Sequence, residues 1–494
     1  MSSALPARAA QSQPLSEATT PSPAQTSSPA QTSSPALAPA DGGQRRDPRT
    51  GGLLASVPFS GPDRAEAVLR TARQAWIEWR RSPQADRAAA LRELAAAVDD
   101  AAEDLADLNA RETGRVFADA LVGIRAGAES LRRYAELSLL RSGPSLAGVV
   151  SGLDFTVFEP YGVVLGLTSW DDPVATACAV AGASIAAGNV AVLKPSERCL
   201  LVARRLGEVF ESVTPPGVLS TVLGDAELAE ALVRDRHVDA VVHVGGTDIS
   251  GSLAEAAYRS GARLVRVPAG NGAVIVDRGV DVEWAAACVA ESAFQHAGQL
   301  RWSAGRVFVM DDVEESFLGA LAGQALAWGD PRRVGPLVDD QARRSVHASV
   351  TASVDGGAIA VTGASIPEGP GSYYPPTVLG ACTPLLPVMH EEVRGPVAAV
   401  MGVHSFEEAL AEAAEPPSGP AATVLTRDIG HAQLAAAELP VAALTINGIP
   451  SGSDAPNVPQ AGMPAGFGPN LLDELSRPKA VHLEPPVTAR ARRH

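Results

Sequence analysis

The spacing of apolar residues divides the chain into helical and extended stretches. From Pro62 to about Ser142 apolar positions recur at intervals of three and four, as in Ala88-Ala-Ala-Leu-Arg-Glu-Leu-Ala-Ala-Ala-Val, and predict helices. From Gly148 to Pro160, Val149, Val150, Leu153, Phe155, Val157 and Phe158 predict extended chain. Short β-type runs then alternate with helices. Strands are predicted over 161–168, 188–194, 218–223 and 240–244, and helices over 173–187, 199–213 and 227–236. Gly245-Gly-Thr opens a further helix, and a second alternating series runs from Ala273 to about Ile446. Strand–helix alternation at this spacing predicts an α/β fold with two doubly wound parallel lobes. Pro478-Lys-Ala-Val-His-Leu reads as a closing strand.

Composition sharpens this. Hydrophobic residues are 46% of the 494 and charged residues 19%, enough apolar material for two or three cores. The net charge of −16 argues against a non-specific nucleic-acid binder, which needs clustered Lys and Arg. No apolar run is long enough to span a membrane, and the N-terminus lacks a signal-peptide pattern, so a cytoplasmic location is expected. Cys178, Cys199, Cys288 and Cys382 are widely spaced, with no CxxC pair, which suggests neither a disulfide framework nor a metal site. Residues 1–45 are rich in Ser, Pro, Ala, Thr and Gln, and Pro-Ala-Gln-Thr-Ser-Ser occurs twice, at 23–28 and 29–34. Such a segment buries too little apolar surface to offset its ordering entropy, so a disordered tail is expected there.

A series of motifs then falls in order: Glu112-Thr-Gly-Arg, Glu159-Pro-Tyr-Gly-Val-Val, Trp170 with Pro173, and Ala187-Gly-Asn-Val-Ala-Val-Leu-Lys-Pro-Ser-Glu. Pro216-Gly-Val, Gly245-Gly-Thr, Gly298-Gln and Tyr374-Pro-Pro-Thr-Val-Leu follow. Glu391-Glu-Val-Arg-Gly-Pro-Val, Ile446-Asn and Arg477-Pro-Lys-Ala-Val close the series. In this register the chain, from about residue 46 to 487, resembles the aldehyde dehydrogenase superfamily. The resemblance implies a dinucleotide-binding domain over 46–266, interrupted by an oligomerisation hairpin at 143–160. It also implies a catalytic-type domain over 267–456 and a C-terminal segment, 457–494, carrying an oligomerisation strand. A homodimer or dimer of dimers is implied, with a small molecule in the family tunnel and NAD or NADP as cofactor.

On the cofactor side, the resemblance places Lys194 and Glu197 at the adenosine ribose and names Trp170 and Ser196 as further cofactor-binding positions. It places Gly245 and Thr247 at the turn that receives the pyrophosphate, and Glu392 at the nicotinamide ribose. Three departures stand out there: Gly246 replaces a serine, Ser250 a glycine and Arg394 a phenylalanine. Binding weaker than the family's is therefore expected.

The chemical side departs further. The family's cysteine thiolate attacks an aldehyde, a carboxamide and a backbone N–H hold the oxyanion, and a glutamate activates water. The nucleophile position is Arg301, which has no lone pair to attack with. The general-base position falls on Val267, or on Arg266 after a one-residue slip. The carboxamide is Asp171, followed by Asp172, and Gln460-Ala-Gly-Met stands where Phe-Gly-Gly is expected.

Among stand-ins for the thiol, Cys178 lies on the helix that lines the family's substrate tunnel. Cys199 begins a helix that could lower its pKa, Cys288 and Cys382 read as core residues, and Ser303 and His296 flank Arg301. The leading expectation is a repurposed enzyme in which Asp171, Asp172 and Arg301 run acid–base and electrostatic chemistry on a carbonyl compound, by isomerisation, dehydration or cyclisation. The alternatives are a non-catalytic subunit or ligand-binding scaffold, and an ordinary NAD(P)-dependent aldehyde dehydrogenase. In each case an Arg301–Asp171 ion pair is expected, with Asp172 as the alternative partner, because neither charge is tolerable alone in a buried pocket.

Overall fold

Four helices, α1 (Pro62–Trp79), α2 (Gln84–Asp100), α3 (Ala102–Thr113) and α4 (Phe117–Leu140), account for the first periodic stretch. The computed structural model describes residues 43–484, apart from 142, 147–152, 247–249, 416–417 and 450–466. A short antiparallel hairpin, β1 (Gln44–Arg46) and β2 (Leu53–Ser56), precedes the helices. The sequence gives no apolar alternation for it, and its first strand overlaps the segment expected to be disordered. Arg45 explains its place: the side chain is buried against the carboxylate of Glu112, 3.1 Å away.

β3 (Ser145–Leu146) and β4 (Leu153–Pro160) lead into the first lobe. There β5 (Val163–Thr168), α5 (Pro173–Ala187), β6 (Val190–Pro195), α6 (Leu200–Val213), β7 (Leu219–Thr221), α7 (Ala226–Arg234), β8 (Ala240–Gly245), α8 (Ser250–Ser260) and β9 (Arg263–Pro268) alternate. The strands form a parallel sheet in the order β7-β6-β5-β8-β9. Every residue of β5, α5 and β6 is buried, as a central strand pair covered on both faces requires. Pro173 starts α5 and Gly188, in the left-handed region at φ +91°, stops it.

The second lobe comprises β10 (Asn271–Val276), α9 (Val282–Phe294), β11 (Ala304–Met310), α10 (Glu314–Ala327), α11 (Pro331–Val334), α12 (Asp340–Asp355), β12 (Ile359–Thr362), β13 (Thr377–Gly380), α13 (Pro387–His390), β14 (Val397–Val403), α14 (Phe406–Ala414), β15 (Ser418–Leu425), α15 (Ile429–Glu438) and β16 (Ala443–Ile446). Its seven strands run in the order β12-β13-β14-β11-β10-β15-β16. Against the all-parallel expectation, the edge strand β12 pairs antiparallel with β13. Each lobe has its own apolar core.

α16 (Pro469–Glu474) leads into β17 (Ser476–Leu483), which pairs antiparallel with β4 from Ser476↔Pro160 to Leu483↔Leu153. The small sheet β17-β4-β3 thus joins two segments more than 300 positions apart. Among the described residues no helix is long and apolar enough to cross a membrane.

Candidate functional site

Asp171 and Asp172 lie in the turn between β5 and α5, at the carboxyl end of a central strand, where open α/β sheets place ligands. Both are 1% exposed. Arg301 reaches them from the loop between α9 and β11. That loop is shaped by His296 and Ala297, both in the left-handed region at φ 50° and 52°. Gln299 pins it: its amide nitrogen donates to the His296 carbonyl at 3.0 Å, and its oxygen accepts from the Val338 N–H at 2.9 Å.

The structure pairs Arg301 with Asp171. Nε lies 3.5 Å from the carboxylate Oδ2, and the side chains are 2% and 1% exposed. Nη2 donates to the Thr176 hydroxyl at 2.8 Å, and the guanidinium stands 5.1 Å from the centre of the Phe467 ring. Burial alone would raise the Asp171 carboxyl. Arg301 and Arg394 outweigh it and hold the group down at about 2.

Asp172 takes a different cation. Arg115, in the turn between α3 and α4, brings Nη1 to 2.8 Å from its Oδ1. Burial, reinforced by Asp171, pushes the Asp172 carboxyl up even so. Sequence reading placed Arg115 inside a matching motif without giving it a task. The available signal was charge balance, since two adjacent aspartates in an apolar surround ask for two cations. Gly123 completes the packing, because a Cβ there would lie 2.5 Å from Asp172 Oδ1.

Each of the four thiols is raised above its ordinary value. Cys178 is fully buried and turned toward α4, where a Cβ on Gly127 would stand 3.2 Å from its sulfur. Burial, with Asp172 adding to it, pushes this thiol far up. Cys199 corrects an expectation: its helix-start position does not acidify it. Burial and the nearby Glu112 carboxylate raise it well above an ordinary thiol. Burial also pushes Cys382 up to about 12 and raises half-buried Cys288. Val267, fully buried, and Arg266 are adjacent on β9. His296 is buried, and burial together with Arg115 lowers its imidazole to about 3.

At the end of β6, Lys194 is 5% exposed and its Nζ lies 3.6 Å from Glu197 Oε2. Burial lowers the ammonium, and Glu197 opposes the shift. Ser196 accepts from the Arg198 N–H and fixes the turn, while the Arg198 guanidinium sits 5.6 Å over the Trp170 ring. These four expected residues share one edge of the sheet. Gly245 ends β8 and Gly246 follows; Thr247 and residues 460–463 lie outside the described residues.

Glu392 is held near this turn by Asn271, whose amide donates to the carbonyls of Val388 and Glu391 at 2.9 Å each. Its carboxylate is paired with Arg394. A Cβ on Gly246 would lie 3.6 Å from Arg394 Nη2 and 3.7 Å from Glu392 Oε2. The serine-to-glycine and phenylalanine-to-arginine departures therefore meet in space.

The sequence profile of the "Aldehyde dehydrogenase family" matches residues 40–473. The chain belongs to the aldehyde dehydrogenase family. Succinate-semialdehyde dehydrogenase [NADP(+)] of Deinococcus radiodurans is 31% identical over 433 residues, 86% of this chain and 90% of the relative. A betaine aldehyde dehydrogenase of Cereibacter sphaeroides is 34% identical over 412 residues, 81% and 84% of the two chains. The solved structure of an indole-3-acetaldehyde dehydrogenase in complex with NAD+ superposes with a TM-score of 0.86 at 28% identity, covering 90% of this chain and 93% of that one. The NAD-dependent aldehyde dehydrogenase of Sinorhizobium meliloti gives 0.85 at 26%, covering 91% and 93%. The α/β fold of the family is thus present over nearly the whole described chain.

Proposed function

We propose that this family member does not oxidise aldehydes through a thioester and acts as a ligand-binding member of its family without that turnover. One observation carries the reading: the nucleophile position holds Arg301, buried and neutralised by Asp171. Acid–base turnover by Asp171 would need a carboxyl that exchanges its proton near neutral pH. A carboxylate at about 2, serving as counter-ion to a buried guanidinium, is poorly suited to that task.

NAD or NADP fits this site at one end only. Lys194 and Glu197 stand where ribose hydroxyls would find a donor and an acceptor. At the other end Glu392 is engaged by Arg394, and the Asp171 carboxylate stands where the family has a neutral amide. The dinucleotide, when bound, would supply a hydride acceptor; no residue described here prepares a hydride donor for it.

The names of the relatives favour a second reading, oxidation of an aldehyde with NAD or NADP. One assay separates the two. Purified protein with NAD or NADP and a panel of aldehydes should give no NADH or NADPH and no esterase activity. Turnover abolished by changing Cys178, Cys199, Cys288 and Cys382 to serine would overturn the first reading in favour of the second.

A further inference from the structure

Beside Arg394, two further basic residues, His243 and Arg266, approach the turn after β8. His243 and Arg266 are register partners on the parallel strands β8 and β9, so their side chains rise from the same face of the sheet. A Cβ built on Gly245 would lie 3.2 Å from His243 Nε2, which places the imidazole against the turn after β8. Arg394 Nη2 approaches the next residue of that turn, Gly246. His243 is 8% exposed, and among the described residues it has no hydrogen-bond partner. The Arg266 Nε is buried and likewise without one.

The charges do not balance. Glu392 offsets one of the two guanidiniums, and the other is uncompensated among the described residues. The imidazole registers this field. Burial, with Arg266 and Arg394 adding to it, lowers His243 to about 4, so it stays neutral and offers a neutral N–H. A neutral donor in the field of two guanidiniums, at the carboxyl end of a parallel sheet, is a site for a multiply charged oxyanion.

We propose that Arg394, Arg266 and His243 bind the terminal phosphate of a nucleoside di- or triphosphate, with Lys194 and Glu197 holding its ribose. The proposal rests on the retained ribose end described above but not on the absence of aldehyde oxidation. A nucleotide that ends in phosphate presents its charge to the two guanidiniums. NAD presents a cationic nicotinamide ring and a ribose there. Gly246 lies against this group, since a Cβ there would stand in ordinary contact with Arg394 Nη2 at 3.6 Å.

Titration calorimetry on the full chain tests this without any turnover. ADP and ATP should each bind at least about tenfold more tightly than NAD, and more tightly than inorganic pyrophosphate, which lacks the ribose. Arg394→Phe should weaken ADP about tenfold or more, the effect of losing a charge-assisted hydrogen-bonding pair, and should leave NAD no weaker. Arg266→Met makes the same comparison if circular dichroism shows the first variant unfolded. NAD binding more tightly than ADP to the unaltered protein would overturn the proposal. So would ADP affinity that ignores both substitutions. Pyrophosphate equal to ADP would remove the nucleotide from it. None of these outcomes bears on whether aldehydes are oxidised.

Discussion

Arg301 and Asp171 are tied together by their burial, so changing one exposes the other. Arg301→Met leaves a carboxylate buried without its main cation and should destabilise the fold by about 3–5 kcal/mol in chemical denaturation. Arg301→Met with Asp171→Asn should recover most of that loss. Arg301→Cys alone should not create an aldehyde oxidase, because Val267 offers no base and Asp171 repels a developing oxyanion; the NADH assay checks this directly. Two imidazoles set the acid limit. His243 and His296 are lowered to about 4 and about 3 mainly by burial, so the unfolded chain binds protons that the native chain refuses. Stability should therefore fall as pH drops below the ordinary histidine value. Between pH 6 and 5 each contributes a slope of about 1.2 kcal/mol per pH unit, short of the full-proton limit because the unfolded imidazole is not yet fully protonated at pH 6. Denaturation midpoints across that range, compared with His296→Asn, read the slope; a flat profile would refute the burial argument. Asp171 works at a lower range: its depressed value stabilises the fold above about pH 4, and that contribution drains away as pH falls through about 2.

At the scale of elements, the periodic signals carried well where burial is complete. The helix over 173–187 was legible to the residue, since Pro173 and Gly188 mark its ends. The strand read at 218–223 shortens to β7, and the helix read at 227–236 stops at Arg234. The hairpin β1–β2 carried no signal, because its contacts are a charge pair and not an apolar face. The departures at 171, 301 and 394 could be read from register alone, yet the partners of Asp172 and Gly246 could not. Those depend on Arg115 and Arg394 arriving from distant segments. Glu112 shows the same non-local logic. Its carboxylate accepts from the N–H groups of Leu201 and Val202 at the start of α6 and pairs with Arg45. Glu112→Ala removes a helix cap and orphans a buried guanidinium. A loss of about 3 kcal/mol or more in denaturant midpoint experiments is expected.

For the whole molecule, the small sheet is the informative feature. β17 pairs with β4 along one edge only, and Leu153 and Leu483 remain more than half exposed at its far end. A sheet of this kind invites closure against a symmetry mate, which removes an aggregation-prone edge. Light scattering at micromolar concentration should therefore give a dimer or a dimer of dimers. A chain ending at Leu475, which lacks β17, should fall to monomer or precipitate. A monomeric full-length protein would refute the assembly.

The depth of the four thiols has a consequence for chemical wear. Enzymes that keep a reactive thiolate are poisoned by the electrophiles they meet, because the same sulfur that attacks a substrate also takes an alkyl group or an oxygen atom. Here burial raises every thiol, and only Cys288 is more than slightly open to solvent. Iodoacetamide at neutral pH should label Cys288 slowly and the others hardly at all, with intact-mass spectrometry as the readout. A protein with its thiols held this way should resist peroxide and reactive aldehydes, and intact mass after peroxide treatment should stay unchanged.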